Sequence, residues 1–361
     1  MPPRARAPGR PKPGSNLSEG RSPYPVTGVP SFHVAIMTDE AGWHTRQLQA
    51  ALRERGAVGR CVDLADCRID TAAAWHGLAI PGFGRDLPDA VLVRGIAGGS
   101  FEQVTKRLGV LHALRELGVP VYNDARAIER CVDKSMTTLL LHAAGVPTPP
   151  TWALESHATA QRLVMAQAAA GHALVLKPLF GSQGKGLMRI GAVDGGFVPL
   201  PASDALGPGF GALYYLQRFI PALATPGFDW RVLVIGGCAV SAMRRISEHW
   251  VHNAAQGARC EAAVLHPELK QIAEAAARAI GVDCAGVDVM PSVPGSAAGP
   301  ALQVLEVNGV AAWQGLQGVT RFNIARAIVG DLFERRIPAA SPVSPAAHAQ
   351  RPSHAAPVRR A

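Results

Sequence analysis

The sequence predicts an α/β protein whose front third is a doubly wound parallel sheet. Three observations predict it. Strand-like and helix-like runs alternate from about residue 31 to 124; a Gly145-Val146-Pro147-Thr148-Pro149-Pro150 breaker then divides the chain; beyond it, apolar strands outnumber helices. Alternation of strand and helix is the pattern of a parallel sheet covered on both faces.

Taken in order, residues 32–37 read as the first strand, and residues 43–55 have helical spacing that stops at Gly56. Residues 90–94 form a second clear strand, 101–117 a helix stopping at Gly118, and 119–123 a short strand. Residues 124–144 read as one helix running into the breaker, the expected hinge between domains. There follow a helix at 156–170, a strand at 173–177, a glycine-rich loop, and strands at 187–190, 213–220, 230–235 and 237–246. Residues 267–280 form an amphipathic helix between Pro267 and Gly281. Strands at 285–289 and 302–308 come next, and a helix at about 321–335 closes the fold. No internal repeat is visible.

Composition narrows the function classes. The chain has 361 residues, 48% of them hydrophobic, enough for two or three compact units with a sizeable core. Its formal charge of +9 invites a nucleic-acid reading. Residues 1–30 contribute +4 of it, however, and residues 338–361 another +3, which leaves +2 for the 307 residues between. The body is nearly neutral, so neither nucleic acid nor a membrane surface is an expected partner. Both tails are rich in Pro, Ala, Ser and Arg without apolar periodicity and read as disordered. No apolar run approaches the ~18 residues of a membrane span, and no signal-peptide core is present, so a cytoplasmic protein is expected. The six cysteines form no C-x-x-C pair and read as small buried hydrophobes.

The stretch Leu302-Gln303-Val304-Leu305-Glu306-Val307-Asn308 carries the sharpest chemistry. Strand side chains repeat every second residue, so Glu306 and Asn308 point to one side. Two oxygen donors on one face suit a hard cation such as magnesium, and Asp288, in the strand 285–289, offers a third. Lys177 ends an apolar strand just before Pro178, where an ammonium is costly to bury without an anionic partner. The loop Gly181-Ser182-Gln183-Gly184-Lys185-Gly186 then joins two strands. It is not a G-x-x-x-x-G-K-[ST] loop opening a helix. It suits a β-turn flap whose N–H groups and lysine cover phosphates, with an ordinary glycine-rich hairpin as the alternative. Lys134 alone reads as a solvated helix charge. Arg94 stands at a strand end of the parallel sheet, where ligands bind, and is a candidate for a substrate carboxylate. Trp43 and His44 lie near the same junction, His44 reading as a polar surface residue.

Order adds what single motifs lack. The chain runs Asp133-Lys134, Gly145-Val146-Pro147, Val175-Leu176-Lys177-Pro178, the flap, Leu216-Gln217-Arg218-Phe219-Ile220, Asp229-Trp230-Arg231, Ala285-Gly286-Val287-Asp288 and Glu306-Val307-Asn308. This order resembles the ATP-grasp superfamily, and within it the RimK-like α-L-glutamate ligases, over roughly residues 31–335. The resemblance implies a pre-ATP-grasp domain (31–125) followed by two α+β subdomains (126–215 and 216–337) that sandwich ATP. It implies that Lys134 and Lys177 reach the phosphates under the flap Gly181 to Gly186, and that Gln217, Arg218, Phe219 and Ile220 form the adenine hinge. Asp229 and Arg231 would lie near ribose and substrate, and Arg244 or Arg245 would serve the reacting centre. Asn253 would come from the following loop. Asp288, Glu306 and Asn308 would hold magnesium, as two ions, with manganese able to substitute.

Two departures stand out. Relatives carry a glutamate where this chain has Arg218, so side-chain reading of the base is altered. They also continue E-V-N with a small residue and then Ser-Pro-Gly, whereas this chain continues Gly309-Val310-Ala311-Ala312-Trp313-Gln314-Gly315-Leu316-Gln317. That loop is expected to face the acceptor, with Trp313 either on the substrate or in the core. The change looks closer to relatives that modify small pterin or furan coenzymes, such as tetrahydromethanopterin glutamate ligases. The implied activity is ATP-dependent carboxylate–amine ligation through an acyl phosphate, joining L-glutamate to a carboxylate-bearing small molecule, in a homo-oligomer. The rivals are an ATP-grasp ligase or phosphotransferase with another substrate, a RimK-type modification of a protein C-terminus, and a nucleotide- or nucleic-acid-binding protein without catalysis.

Overall fold

A computed structural model describes residues 32–72, 74–181, 183–207, 210, 213–293 and 301–337. Both basic tails and Ser182 lie outside these residues. Three sheets follow one another along the chain. The first contains strands β1 (Phe32–Met37), β2 (Ala57–Val62), β3 (Ala90–Val93) and β4 (Val121–Tyr122) in the order β2-β1-β3-β4, all parallel. Its inner strand β3 is buried on both faces, as a sheet covered by helices on both sides requires, whereas the edge strand β2 exposes Val58 and Arg60. The helices α1 (Trp43–Glu54) and α2 (Phe101–Glu116) cover it. The second opens at Ser100, whose hydroxyl accepts from Gln103 N while the Gln103 side chain accepts from Ser100 N. A two-stranded ribbon, Arg68–Ile69 with Leu78–Ala79, sits beside this sheet.

Residues 124–144 form two helices where the sequence predicts one: α3 (Ala125–Val132) and α4 (Lys134–Ala143). Asp133 breaks the run. It takes an extended ψ of 100° and its carboxylate accepts from Ser135 N and Met136 N, capping the second helix. The break sets Lys134 at a helix start, where its side chain reaches the next sheet.

The second sheet, antiparallel, contains β5 (Thr151–Leu154), β6 (Ala173–Lys177), β7 (Met188–Val193), β8 (Gly196–Val198) and β9 (Tyr214–Arg218) in the order β8-β7-β6-β9-β5, with α5 (His157–Ala169) packed on it. The third, also antiparallel, contains β10 (Gly227–Ile235), β11 (Cys238–Ser247), β12 (Arg259–Ala263), β13 (Cys284–Pro291) and β14 (Leu302–Asn308) in the order β12-β11-β10-β13-β14. One face of the third sheet, with Val232, Val234, Val287 and Val304, packs on the apolar stripe Leu269, Ala273, Ala277 and Ile280 of α6 (Pro267–Ile280). On the other face, Leu233 and Ile235 share a core with Ile36 of the first sheet, Leu52 of α1, and Ile328 and Val329 of α8 (Ile324–Asp331). A short helix α7 (Gln314–Val319) precedes α8.

One side chain from the first sheet pins the third. Asn123, 2% exposed, donates to the carbonyls of Cys284 (2.7 Å) and Gly309 (2.5 Å) and accepts from the N–H groups of Asp283 and Cys284. It therefore fixes the start of β13 and the end of β14. Among the described residues no helix is long and apolar enough to cross a membrane. Of the cysteines, Cys67 and Cys131 are buried as expected, whereas Cys238 is exposed because it opens β11 after a glycine turn.

Candidate active site

The cleft between the second and third sheets collects most of the residues singled out from sequence. On the third sheet the register pairs Asp229 with Arg245, Arg231 with Asp288, and Asp288 with Glu306. Directly opposed residues share a face, so these charges from four strands form one row. Asn308 lies two residues beyond Glu306 on the same strand. Its amide nitrogen donates to Gly286 O (3.4 Å), which turns its oxygen the other way.

A β-bulge sits in this row. Asp288 opposes Glu306, but Val289 opposes Val304, which leaves Leu305 as the extra residue. Strict alternation would send Leu305 and Glu306 to opposite faces. The bulge instead turns both into the cleft, a common device beside active sites.

The row is held by a buried network. Arg245 grips Asp229 through Nε (2.7 Å) and Nη2 (2.5 Å) and reaches Asp288 Oδ2 at 3.0 Å; Arg231 forks onto Asp288 through Nε and, at 2.8 Å, Nη2. Burial pushes the Asp288 carboxyl up, but Arg231 and Arg245 overcome it and hold the group below the usual carboxylate range. Asp229 shifts the other way, because burial outweighs the pull of Arg245. Arg244, the alternative candidate for the reacting centre, is corrected by the same pairing. It lies on the opposite face, donating to Glu261 (2.9 Å) and stacking over Phe228 (5.6 Å).

The two lysines come from the other wall. Lys177 Nζ donates to Gln217 Oε1 at 2.6 Å, so its buried partner is an amide rather than the expected anion. Burial pushes this amine down to about 8, with Glu306 opposing and Lys134 adding to the shift. Lys134 is not a solvated helix charge. Its side chain, 11% exposed, donates to Gly181 O (2.6 Å) and Leu179 O (3.3 Å) at the flap base and lies 3.8 Å from Glu306.

The flap is docked on the loop that follows β11. Gln256 Nε2 donates to Gln183 O (3.1 Å). Gly184, at φ +70°, lies against Val251 and Asn253, where an added Cβ would come within 2.9 Å of Val251 Cγ1. Gly186, at φ +73°, approaches Pro178 in the same way. Lys185 is exposed on the rim of the cleft, and Asn253 caps the turn through Ala255 N (2.9 Å). On the loop side, neither Val251 nor Gln256 stood out in sequence.

At the other end Val175, Leu187, Ile220, Met290 and Leu305 make an apolar slot of the kind a planar base fills. Arg218 N donates to Pro150 O (2.8 Å) and Phe219 N to Ala173 O (3.0 Å), anchoring the hinge. Arg218 lines the cleft, and its guanidinium donates to Gln167 of α5 (2.9 Å). His252, 6% exposed and pushed down to about 4 by burial and Arg245, adds a neutral imidazole to the wall.

Arg94 and Trp313 lie elsewhere, around a smaller cavity bounded by Gly309 and Ala311. Trp313 is 2% exposed and packs edge-on against Trp43 and His44. His44 is no surface residue: its Nε2 accepts from Trp313 N (3.1 Å), and burial together with Arg94 pushes it down to about 4.

The donor set fits a hard cation. Asp288, Glu306 and Asn308 offer two carboxylates and an amide oxygen on adjacent strands, the ligand chemistry magnesium prefers.

Two family models and a set of relatives match this chain. Residues 131–332 match the RimK-like ATP-grasp domain, and residues 32–128 the RimK pre-ATP-grasp domain. A tetrahydromethanopterin:α-L-glutamate ligase of Methanosarcina acetivorans is 31% identical over 81% of this chain and 96% of its own length. A probable α-L-glutamate ligase of Cellvibrio japonicus is 29% identical over 82% and 93%. Among solved structures, the ATP-grasp ligase PsnB, in complex with a precursor variant, magnesium and ADP, superposes with a TM-score of 0.60 at 21% identity, covering 82% of this chain and 98% of PsnB. A RimK domain protein from Sphaerobacter thermophilus gives 0.58 at 23%, with 82% and 98% covered.

Proposed function

This chain belongs to the RimK-like ATP-grasp ligases, and on that premise we propose that it joins L-glutamate to a carboxylate-bearing, coenzyme-like small molecule at the expense of ATP. The observation that supports this reading is the meeting of Lys134, Lys177, Asp288 and Glu306 around one cleft with an apolar slot at its far end. The acceptor carboxylate attacks the γ-phosphorus and ADP leaves. The amine of glutamate then attacks the acyl carbon, phosphate leaves, and the nitrogen loses its proton.

The obstacle is bringing an anion to a triphosphate, and cations fixed beforehand in a site that excludes water lower it. Lys177 and Lys134 supply two of them, and Arg245 a third beside Asp288. Magnesium held by Asp288, Glu306 and Asn308 would add Lewis-acid charge, and two ions, replaceable by manganese, are the proposed complement. The flap keeps water from the acyl phosphate. Lys134 bonds flap carbonyls in the closed form, so phosphates arriving there compete with them and report directly to the lid.

The test is a screen of amino acids against pterin- and furan-type acid acceptors for ADP release, with mass spectrometry of products. A new amide one glutamyl residue heavier bears the reading out. A stable phosphorylated product would make the protein a phosphotransferase, and a peptide or protein acceptor would overturn the small-molecule assignment.

Two further results are expected. ATP favours charged Lys177, so binding is insensitive to pH below the free-protein value of about 8 and weakens above it. Between pH 7 and 9 the KM for ATP should rise about tenfold. Lys177→Arg, which stays charged, should flatten that profile. A profile equally steep in the variant would remove Lys177 from the phosphates. In the flap, Gly184→Val places branched carbons against Val251 at a φ that L-residues avoid. Its KM for ATP should rise about tenfold or more with a Tm close to wild type, since the strain falls on an exposed loop. Unchanged nucleotide kinetics would mean that the flap does not close by this docking.

A further inference from the structure

Arg94 leaves the C-terminal end of β3 and turns toward the loop that follows Asn308, where Nη1 donates to Ala311 O at 2.8 Å. A guanidinium offers five N–H donors and always carries its charge. No ion pair among the described residues includes this one, and burial lowers its pKa from the usual arginine value. A desolvated cation without a counter-ion is costly and is a mark of a binding site rather than of a scaffold.

A second donor faces the same situation. The indole Nε1 of Trp313 is buried and has no hydrogen-bond partner among the described residues. The ring is held from both sides, edge-on to Trp43 and His44 with centroids 4.8 Å away, so the N–H is not free to swing to solvent. His44 cannot take up the deficit, because its Nε2 already accepts from Trp313 N. Arg94 and Trp313 line one cavity of about 20 Å3.

We propose that this cavity receives a non-reacting carboxylate of the incoming amino acid, bound by the Arg94 guanidinium and the Trp313 indole N–H. The proposal rests on the ligase reading and adds the place where the amine substrate is recognised. Three observations favour the amine side over the acceptor. The carboxylate to be phosphorylated must lie by the phosphates, in the cleft lined by Lys177 and Glu306, and this cavity shares no lining residue with that cleft. Its volume exceeds only slightly the roughly 10–15 Å3 that one water needs, so it admits the end of a short acyclic acid and no ring. Gly309, which lines the cavity, directly follows Asn308 in the chain, so an amino acid anchored here lies next along the chain to a proposed metal ligand.

The experiment uses the full chain and three probes: L-glutamate, L-glutamine and the α-amide of glutamate. The wild type should ligate glutamate and discriminate about 100-fold against whichever amide removes the bound carboxylate, which also identifies the α or side-chain group. Arg94→Gln should raise the KM for glutamate about 100-fold, leave the KM for ATP within about twofold, and lose the discrimination between acid and amide. Trp313→Phe keeps the ring and removes the N–H, and should raise the same KM about tenfold. Should Arg94→Gln fold poorly, saturable quenching of wild-type tryptophan fluorescence by L-glutamate, absent with the relevant amide, reads the same site. Ligation with equal use of acid and amides, or with an unchanged glutamate KM in Arg94→Gln, overturns the proposal and leaves the ligase reading standing. Absence of ADP release with every pair overturns both.

Discussion

Glu306→Gln is expected to lower kcat by about 10³-fold or more while moving the Tm by no more than about 2 °C. The side chain is 28% exposed, and its nearest cation, Lys134, is 3.8 Å away. A pair that loose and that solvated contributes little to stability. The bulge nonetheless aims the carboxylate into the cleft beside Lys134, and an amide of the same shape keeps the packing while giving up the charge. Asp288→Asn makes the informative contrast. It should abolish turnover equally, but it also strips Arg231 and Arg245 of a buried partner and should therefore melt lower. Retention of a tenth or more of wild-type ADP release by purified Glu306→Gln would sink the metal assignment.

The difference between these two acids marks what was legible in the sequence and what was not. Period-two spacing sufficed to expect Glu306 and Asn308 on one face, and the order of motifs sufficed to expect Asp288 beside them and Lys177 opposite, across more than a hundred residues. Nothing local could choose between Arg244 and Arg245. They are neighbours in sequence, and only the cross-strand partner, Asp229 for one and Glu261 for the other, assigns their faces. The bulge at Leu305 hides for the same reason, since a bulge belongs to a pair of strands and the sequence displays one at a time. Asp133 could have been read: Asp is a favoured N-cap residue, a signal overridden here by the helical pattern on both sides of it. Asn123, whose amide makes three bonds at the start of β13 some 160 residues away and a fourth to Gly309 after β14, leaves no short-range trace.

Arg245→Met should destabilise the protein by about 3–5 kcal/mol at pH 8, the usual consequence of removing one partner from a buried ion pair. Its side chain is 5% exposed, between carboxylates 5% and 7% exposed, and Arg231 bonds only Asp288. Asp229 is left with burial, which raises its pKa, and without the guanidinium that opposes it most. A carboxyl whose folded pKa lies above its unfolded value contributes a penalty that is absent below the unfolded pKa and grows as pH rises toward the folded one. The deficit should therefore be smaller at pH 5 than at pH 8, the reverse of ordinary acid denaturation, and urea unfolding at the two pH values reads it. Adding Asp229→Leu removes the stranded acid and should recover most of the lost stability, since apolar replacement of a buried pair is close to neutral. Turnover should not return, because the cation beside Asp288 is still missing. A double variant that regains ADP release would show that Arg245 serves the fold alone, and a single variant within about 1 kcal/mol of wild type at pH 8 would mean that the network is weaker than its geometry implies.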